Sequence, residues 1–239
     1  MIISLDKAWD IAQKYWPSFM LGVRYTLFLA ITGTLAGLLI GLIVAGIRAL
    51  KVEQRDSFLV KVLKRIFAFV STVYIEVFRG TPMMVQAMFI YYSFRSTLHW
   101  TPIVAGVFII SINTGAYMAE IVRAGIQAVD IGQTEGARSL GMSSFQTMWH
   151  VVLPQAIKNS FPAMGNEFIV NIKDSSVLNV ISVTDLFFQS SSVAGSIFKV
   201  QETFLVTAAI YLFLTYTTSR ILGYIEKKMQ PKQTGRAGA

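Results

Sequence analysis

The chain has 239 residues, of which 54% are hydrophobic and only 14% are charged, and its mean hydropathy is +0.55. Soluble domains are far more polar, so this composition predicts an integral membrane protein. The chain contains no cysteine, which excludes disulfides and thiolate metal sites, and His99 and His150 are too far apart to form a ligand cluster. The net charge of +8 could suggest nucleic acid as a partner. Because the basic residues flank apolar segments, anionic lipid explains them better. We expect no metal, cofactor or nucleic acid.

Five segments are predicted to cross the membrane. A helix rises ~1.5 Å per residue and must cross ~30 Å of hydrocarbon, so each span needs roughly 20 mostly apolar residues. Three segments have long uncharged cores, whereas the second and the fourth contain ionisable residues. The predicted spans, in one transmembrane domain covering 1–239, are 19–47, 66–94, 100–120, 161–183 and 203–222. The predicted fold is therefore an all-α integral membrane protein.

Basic residues crowd the connection after the first span and the C-terminus, and the positive-inside rule places both in the cytoplasm. The N-terminus then lies outside, and parity requires 66–94 to be a single crossing. The two basic clusters consist of Arg48, Lys51, Arg55, Lys61, Lys64 and Arg65, and of Arg220, Lys227, Lys228, Lys232 and Arg236.

The connection 130–154 between the third and fourth spans is predicted to have a structure of its own, because ordinary helix connections have only ~2 to 8 residues. Gly141 is placed to end a short helix in the left-handed conformation. Ser143 and Gln146 form an S-x-x-Q capping box that would begin a second helix, which Pro154 would bend or end. We expect a cytoplasmic helical elbow at which a partner docks, rather than a simple connector.

Within this connection the run E-G-A-R-S-L-G at 135–141 is followed by L-P at 153–154. This pattern resembles the EAA loop of ABC importer permeases, with Gly136 in place of alanine and Val151 in place of isoleucine. The resemblance implies a type I importer permease whose coupling helix, between the third and fourth spans, seats on an ATP-binding subunit. The residues implied in this coupling are Glu135, Gly136, Ala137 and Gly141.

Three more stretches resemble the branch of this family that takes up polar amino acids such as histidine, glutamine, arginine and glutamate. They are E-V-F-R-G-T-P at 76–82 with V-Q at 85–86, Y-M-A-E-I-V-R-A-G-I at 117–126, and N-I-K-D-S-S-V at 171–177. The resemblance implies a bacterial cytoplasmic membrane protein that works as a homodimer or heterodimer in lipid. Its implied partners are two ATPase subunits and an extracytoplasmic amino-acid-binding protein.

Ionisable residues within the spans are candidate pathway residues, because each costs at least ~2.5 to 3.5 kcal/mol at the bilayer centre unless paired or wetted. Glu76 and Arg79 share a helix face next to Gly80 and Pro82, which would break the helix. They either form a structural ion pair that fixes this break or take part in the pathway.

Lys173 and Asp174 are neighbours whose side chains point ~100° apart on a helix, so at least one should face water. Asp174 would suit the ammonium group of an amino acid if it lines the pathway, and otherwise it pairs with Lys173. The remaining candidates of this kind are Asn113, Tyr117, Asn166, Glu167 and Asn171.

Glycines at 33, 37 and 41 form a small-xxx-small ridge along one face of the first span. The ridge is predicted either to pack against another helix or a second permease copy, or to ease bending.

The sequence offers no site for catalysis. It lacks the G-x-x-x-x-G-K-[ST] loop that cradles ATP phosphates, and no G-x-S-x-G signature lies near its histidines. ATP hydrolysis is therefore expected of partner subunits. There are two alternative functions. One is a self-contained secondary transporter or channel, which paired halves or more spans would favour, and the other is a non-transporting scaffold, which the intramembrane charges disfavour.

Overall fold

The structure is a computed structural model that describes residues 4–50, 52, 54 and 56–229, and within these residues it is helical without strands. Four of the basic residues behind the predicted orientation, Lys51, Arg55, Lys232 and Arg236, lie outside the described residues. The α-helices in chain order are α1 (Leu5–Lys14), α2 (Trp16–Ala49), α3 (Phe58–Gly80), α4 (Met83–Leu98), α5 (Pro102–Gln127), α6 (Ile131–Ser139), α7 (Ser144–Thr147), α8 (Leu153–Asp174), α9 (Leu186–Ile197) and α10 (Val200–Met229). A π-helical turn, Met148–Val152, joins α7 to α8, and a 3₁₀ helix, Ser175–Ile181, follows α8.

Side-chain caps begin several of these helices. Ser57 accepts a hydrogen bond from the backbone N–H of Val60 at the start of α3, and Thr101 does the same for Val104 at the start of α5. Such caps satisfy backbone donors that have no partner inside the helix.

Three helices, α2, α5 and α10, are each long and apolar enough to cross a membrane. The stretch from Ser144 to Ile181 and helix α9 together pass the same test as one bent pair, with an angle of 57° between them. The predicted crossing 66–94 is divided between α3 and α4 by Thr81 and Pro82. Pro82 cannot continue a helix because it lacks the backbone N–H, so α4 begins again after it. The count of five crossings stays a prediction.

The glycine ridge of α2 packs against α5 of the same chain. A Cβ atom built at Gly33 would lie 2.6 Å from Cγ2 of Ile110, and one built at Gly41 would lie 2.5 Å from Cβ of Met118. At Gly37 the nearest atom would be Cγ2 of Thr114, at 2.7 Å. Side chains of α5 fill the space next to these glycines, so α2 can carry no side chain there, as is typical of small residues at helix crossings in membranes. The ridge therefore meets another helix.

Candidate functional site

The first arm of the elbow, residues 130–154, is helix α6. Asp130 caps its beginning, since a side-chain oxygen accepts from the backbone N–H of Gly132 at 2.7 Å. Gly141 follows its end with φ of +82°, in the left-handed region, and its N–H donates to the carbonyl of Arg138 at 3.0 Å. The chain can turn sharply here because glycine has no Cβ to clash. This confirms the predicted role of Gly141 in ending the helix.

The second arm begins with the predicted capping box. The N–H of Gln146 donates to Oγ of Ser143 at 3.2 Å, and Oε1 of Gln146 accepts from the N–H of Ser143 at 2.9 Å. Pro154 does not end this helix, and that it bends the helix stays a prediction. α7, the π-helical turn Met148–Val152 and α8 follow one another without a break, and the residues at their boundaries keep right-handed helical backbone angles.

Large apolar side chains project from the elbow. Leu140 is 85% exposed, Phe145 75% and Trp149 57%. The rings of Phe145 and Trp149 stack with centroids 6.3 Å apart and planes 7° apart, one helical turn from each other. We call these three residues the elbow surface. An exposed apolar patch next to polar side chains marks a site of protein or membrane interaction.

The elbow is joined tightly to the helices that enter and leave it. Near the end of α5, a Cβ atom built at Gly125 would lie 1.8 Å from Oγ of Ser160 and 2.6 Å from the carbonyl oxygen of Ala156, both in α8. Ser160 also donates to the carbonyl oxygen of Ile121 at 3.1 Å. The two helices that enter and leave the elbow are therefore in direct contact with each other.

Inside the bundle, two buried amide side chains surround the break between α3 and α4. Nε2 of Gln86 donates to the carbonyl oxygens of Phe78 and Thr81 at 3.0 and 2.9 Å. Its Oε1 accepts from Nδ2 of Asn113 in α5 at 2.9 Å. Oγ1 of Thr81 donates to the carbonyl oxygen of Val77 at 2.7 Å. Carbonyl groups that a helix end would leave without partners thus accept hydrogen bonds from side chains.

Arg79 pairs with a different residue from the one expected. Its Nη1 lies 3.9 Å from Oε2 of Glu120, and its guanidinium lies 5.5 Å from the ring centroid of Tyr117, both in α5. Among the described residues Glu76 forms no ion pair, and its side chain is exposed on α3. The predicted pair between Glu76 and Arg79 is therefore wrong. Arg79 reaches Glu120 because α3 packs against α5 along the face that carries Arg79.

Glu120 is the centre of a cluster of arginines. Arg48 at the end of α2 donates to its Oε1. Arg123 donates to its Oε2 through Nε and Nη2, at 3.0 and 2.8 Å. Together with Arg79, three guanidinium groups surround one carboxylate, so the cluster carries an excess of positive charge. Bidentate pairing of this kind fixes side-chain geometry.

A second charged region lies on α8. Lys173 is exposed and Asp174 is partly buried, and the two form no ion pair within the described residues. Glu167, two turns earlier on α8, is partly buried and lies within electrostatic range of Asp174 and Arg79. These two carboxylates of α8 therefore lie in the same part of the bundle as Arg79, which is already paired with Glu120.

Asn171 ties three helices together instead of facing open space. Its Oδ1 accepts from Oγ1 of Thr114 in α5 at 3.0 Å, and its Nδ2 donates to Oγ1 of Thr34 in α2 at 2.8 Å. The side chain is almost fully buried, so its contacts are those of a structural joint.

Comparison with known proteins matches residues 37–231 to the family described as the binding-protein-dependent transport system inner membrane component. The match covers most of the chain. The chain belongs to this family. It is therefore a multi-pass membrane permease subunit of a binding-protein-dependent transporter.

Relatives and a solved structure agree with this assignment over nearly the whole permease. It is 35% identical over 221 residues to the glutamine transport system permease protein of Escherichia coli strain K12, covering 90% of this chain and 95% of that protein. It is 33% identical over 233 residues to the nopaline transport system permease protein of Agrobacterium fabrum, covering 93% and 92%. A chain from the crystal structure of an amino acid ABC transporter with histidines matches with a TM-score of 0.82 and 38% identity, covering 95% of the permease and 100% of that chain.

The four residues of the predicted coupling motif differ in how exposed they are. Glu135, Gly136 and Gly141 are exposed, whereas Ala137 is only 6% exposed. Within the described part of the permease, a Cβ built at Gly136 or Gly141 has no heavy atom within 4 Å other than those of the adjoining chain. The small side chain of Ala137 thus serves packing inside the elbow, and the two glycines leave room above it.

Asp185 is a buried acid that is not among the residues predicted from the sequence. It is fully buried, and its Oδ1 accepts from the N–H of Phe188 at the start of α9. Its Oδ2 accepts from Oγ of Ser175 at 3.1 Å and from the hydroxyl of Tyr211 at 3.3 Å. The position of Asp185 just before an apolar run was a sequence signal for a helix cap. The carboxylate holds the 3₁₀ helix, α9 and α10 together.

Proposed function

We propose that this permease forms half of the translocation path of an ATP-driven ABC importer for polar amino acids. The names of its relatives support the cargo class, since they describe glutamine and nopaline transport, and the solved neighbour is an amino acid transporter. The second half of the path is another copy of this permease or a similar chain. An extracytoplasmic binding protein delivers the substrate.

The observation that carries this proposal is the elbow surface. Leu140, Phe145 and Trp149 project from a rigidly capped elbow, although their contact with water is unfavourable. An ATPase subunit that docks on the elbow would bury these side chains. The permease needs such a partner for ATP hydrolysis, because its sequence has no phosphate-binding loop of its own. Closure of two ATPase subunits on ATP then pushes the elbow, and the contact of α5 with α8 passes the movement to the spans.

The candidate pathway lies between α3, α5 and α8. An amino acid carries one ammonium and one carboxylate, so its path needs groups of both signs that hold it weakly. Glu167 and Asp174 provide negative charge toward the ammonium group, and Arg79 with Tyr117 provides a positive, aromatic surface for the carboxylate. Asn113 and Asn171 shape the neighbouring walls through buried hydrogen bonds. Lys173 and Glu76 are exposed on the surfaces of α8 and α3.

The orientation belongs to the same proposal. The N-terminus lies outside and the C-terminus in the cytoplasm, which puts the elbow on the side where ATP is available. Exposed Arg220, Lys227 and Lys228 near the end of α10 fit this placement, since basic residues favour the cytoplasmic side.

The test is reconstitution of the permease with its ATPase in lipid nanodiscs, followed by measurement of ATP hydrolysis. Amino acids of different charge are added one at a time, each with the candidate binding protein. Stimulation by one substrate class supports the importer and identifies its cargo. A stable complex whose ATPase rate is indifferent to every amino acid would contradict the proposed cargo.

A further inference from the structure

The break between α3 and α4, in the predicted crossing 66–94, leaves backbone carbonyl groups that need hydrogen-bond donors. Helix α3 ends at Gly80, and Pro82 offers no N–H, so the carbonyl groups of the last turn of α3 lack helical donors. In the predicted crossing 66–94, hydrocarbon would supply no replacement donor, so a carbonyl without a partner there is unfavourable. Side chains must therefore close this end of the helix.

Gln86 and Asn113 meet this demand from two different helices. Gln86 in α4 donates to Phe78 and Thr81, and Asn113 in α5 donates both to Gln86 and, at 3.4 Å, to the carbonyl of Phe78. Both side chains are buried. We call this pair of amides the clamp. The clamp attaches the broken end of α3 to α5 at the residue just before Arg79.

The same face of α5 receives the side chain of Arg79. Asn113, Tyr117 and Glu120 follow each other at spacings of four and three residues, so they lie on one helix face. Asn113 contacts the backbone of Phe78, Tyr117 lies under the guanidinium of Arg79, and Glu120 is its ion-pair partner. The backbone at the break and the charged tip of Arg79 are thus held by successive turns of α5.

We infer that Gln86 and Asn113 are positioning residues, which set where Arg79 enters the candidate pathway. Asn113 then acts through the backbone of Phe78, without contact to the substrate. The inference rests on the proposed transport function for its consequence, but the geometry that it assigns can be tested without transport.

The first experiment uses the absence of cysteine from the permease. An Arg79→Cys variant carries a single thiol in this chain, and its rate of modification by a charged methanethiosulfonate reagent is measured in the assembled transporter, with the permease band resolved on a gel. Adding Gln86→Met keeps the size of the side chain but removes the amide, and with it the hydrogen bonds to Phe78, Thr81 and Asn113. We expect this change to raise the rate about tenfold or more, and a tenfold change corresponds to about 1.4 kcal/mol.

The matched control is Ser190→Ala, which removes a buried hydroxyl that bonds to Thr207 and Leu186, on other helices than the clamp. It should leave the modification rate of the thiol at 79 unchanged. If Gln86→Met prevents assembly, Asn113→Ser provides a milder loss of the clamp with the same expected direction. An unchanged rate in an assembled clamp variant, or an equal increase in Ser190→Ala, overturns the inference.

The second experiment measures uptake in Gln86→Met, Arg79→Lys and the double variant. If the clamp acts through Arg79, the double variant is no slower than Arg79→Lys alone, because the residue being positioned is already altered. Losses that multiply would instead show that the clamp has a general structural role. The two proposals fail separately: if no amino acid is taken up by the unaltered transporter, the proposed function fails, and the thiol rates still decide the position of Arg79.

Discussion

Glycine builds two regions of this permease with opposite effects. Along the contact between α2 and α5, a Cβ at Gly37 or Gly41 would lie 2.7 or 2.5 Å from atoms of α5, so the glycines allow the helices to touch. On the elbow, within the described residues, Gly136 and Gly141 have no heavy atom within 4 Å of a built Cβ. The glycines of α2 allow two helices to pack closely, and those of the elbow leave a surface accessible. The same residue type therefore serves stability in the first region and partner access in the second.

The largest effect is expected from adding a side chain at the packed contact between α2 and α5. Gly41→Ala places a methyl group within 2.8 Å of backbone atoms of Met118 and Ala119, which cannot move aside cheaply. We expect a loss of about 1–3 kcal/mol in the free energy of unfolding, seen as a lower thermal unfolding midpoint and less folded permease in the membrane.

Gly46→Ala on the same helix is the matched control. Among the residues the structure describes, no heavy atom lies within 4 Å of its built Cβ, so alanine there should leave the unfolding midpoint unchanged or slightly higher. Equal losses at 41 and 46 would mean that the α2–α5 contact is not what holds these helices.

Gly141→Asp should abolish uptake while the permease still inserts. The position has φ of +82°, which strains any L-residue, and the new carboxylate lies at the turn next to the elbow surface. The measurement compares transport with the amount of membrane-inserted permease. Normal uptake by a well-inserted variant would refute the coupling role of the elbow.

Trp149→Ala should weaken the docking of the ATPase subunit by about 1–3 kcal/mol, the range for aromatic residues central to an interface. The side chain is 57% exposed, so its removal leaves the fold of the permease intact. Binding of the ATPase to the permease in nanodiscs measures the affinity. A matched change at Phe213, which is 68% exposed on the apolar part of α10, should have no effect on that affinity.

Local signals in the sequence predicted the elbow well. The ends of its helices depend on residues close together in the chain, such as Ser143 and Gln146. They also depend on Gly141, whose backbone conformation few other residues adopt. The glycine ridge of α2 was also visible as a spacing, although only the structure identifies α5 as its neighbour.

The ion pairs could not be predicted in the same way. Arg79 and Glu76 share a helix face, but Arg79 pairs with Glu120, which lies 41 positions further along the chain on α5. Asp185, likewise, meets Ser175 and Tyr211 only because α8, α9 and α10 fold together. Such pairs depend on how helices cross, which a single sequence does not contain.

The smallest effect is expected at Gly136, where alanine would restore the E-A-A pattern. Alanine has higher helix propensity than glycine by about 1 kcal/mol, and within the described chain the added methyl group meets no atom. We expect normal uptake and a slightly more stable elbow, measured by hydrogen exchange of α6. If Gly136→Ala instead reduces ATPase-coupled uptake, the space above this glycine is filled by the backbone of the partner subunit. Gly136 would then allow close packing as Gly41 does, but against another chain instead of α5.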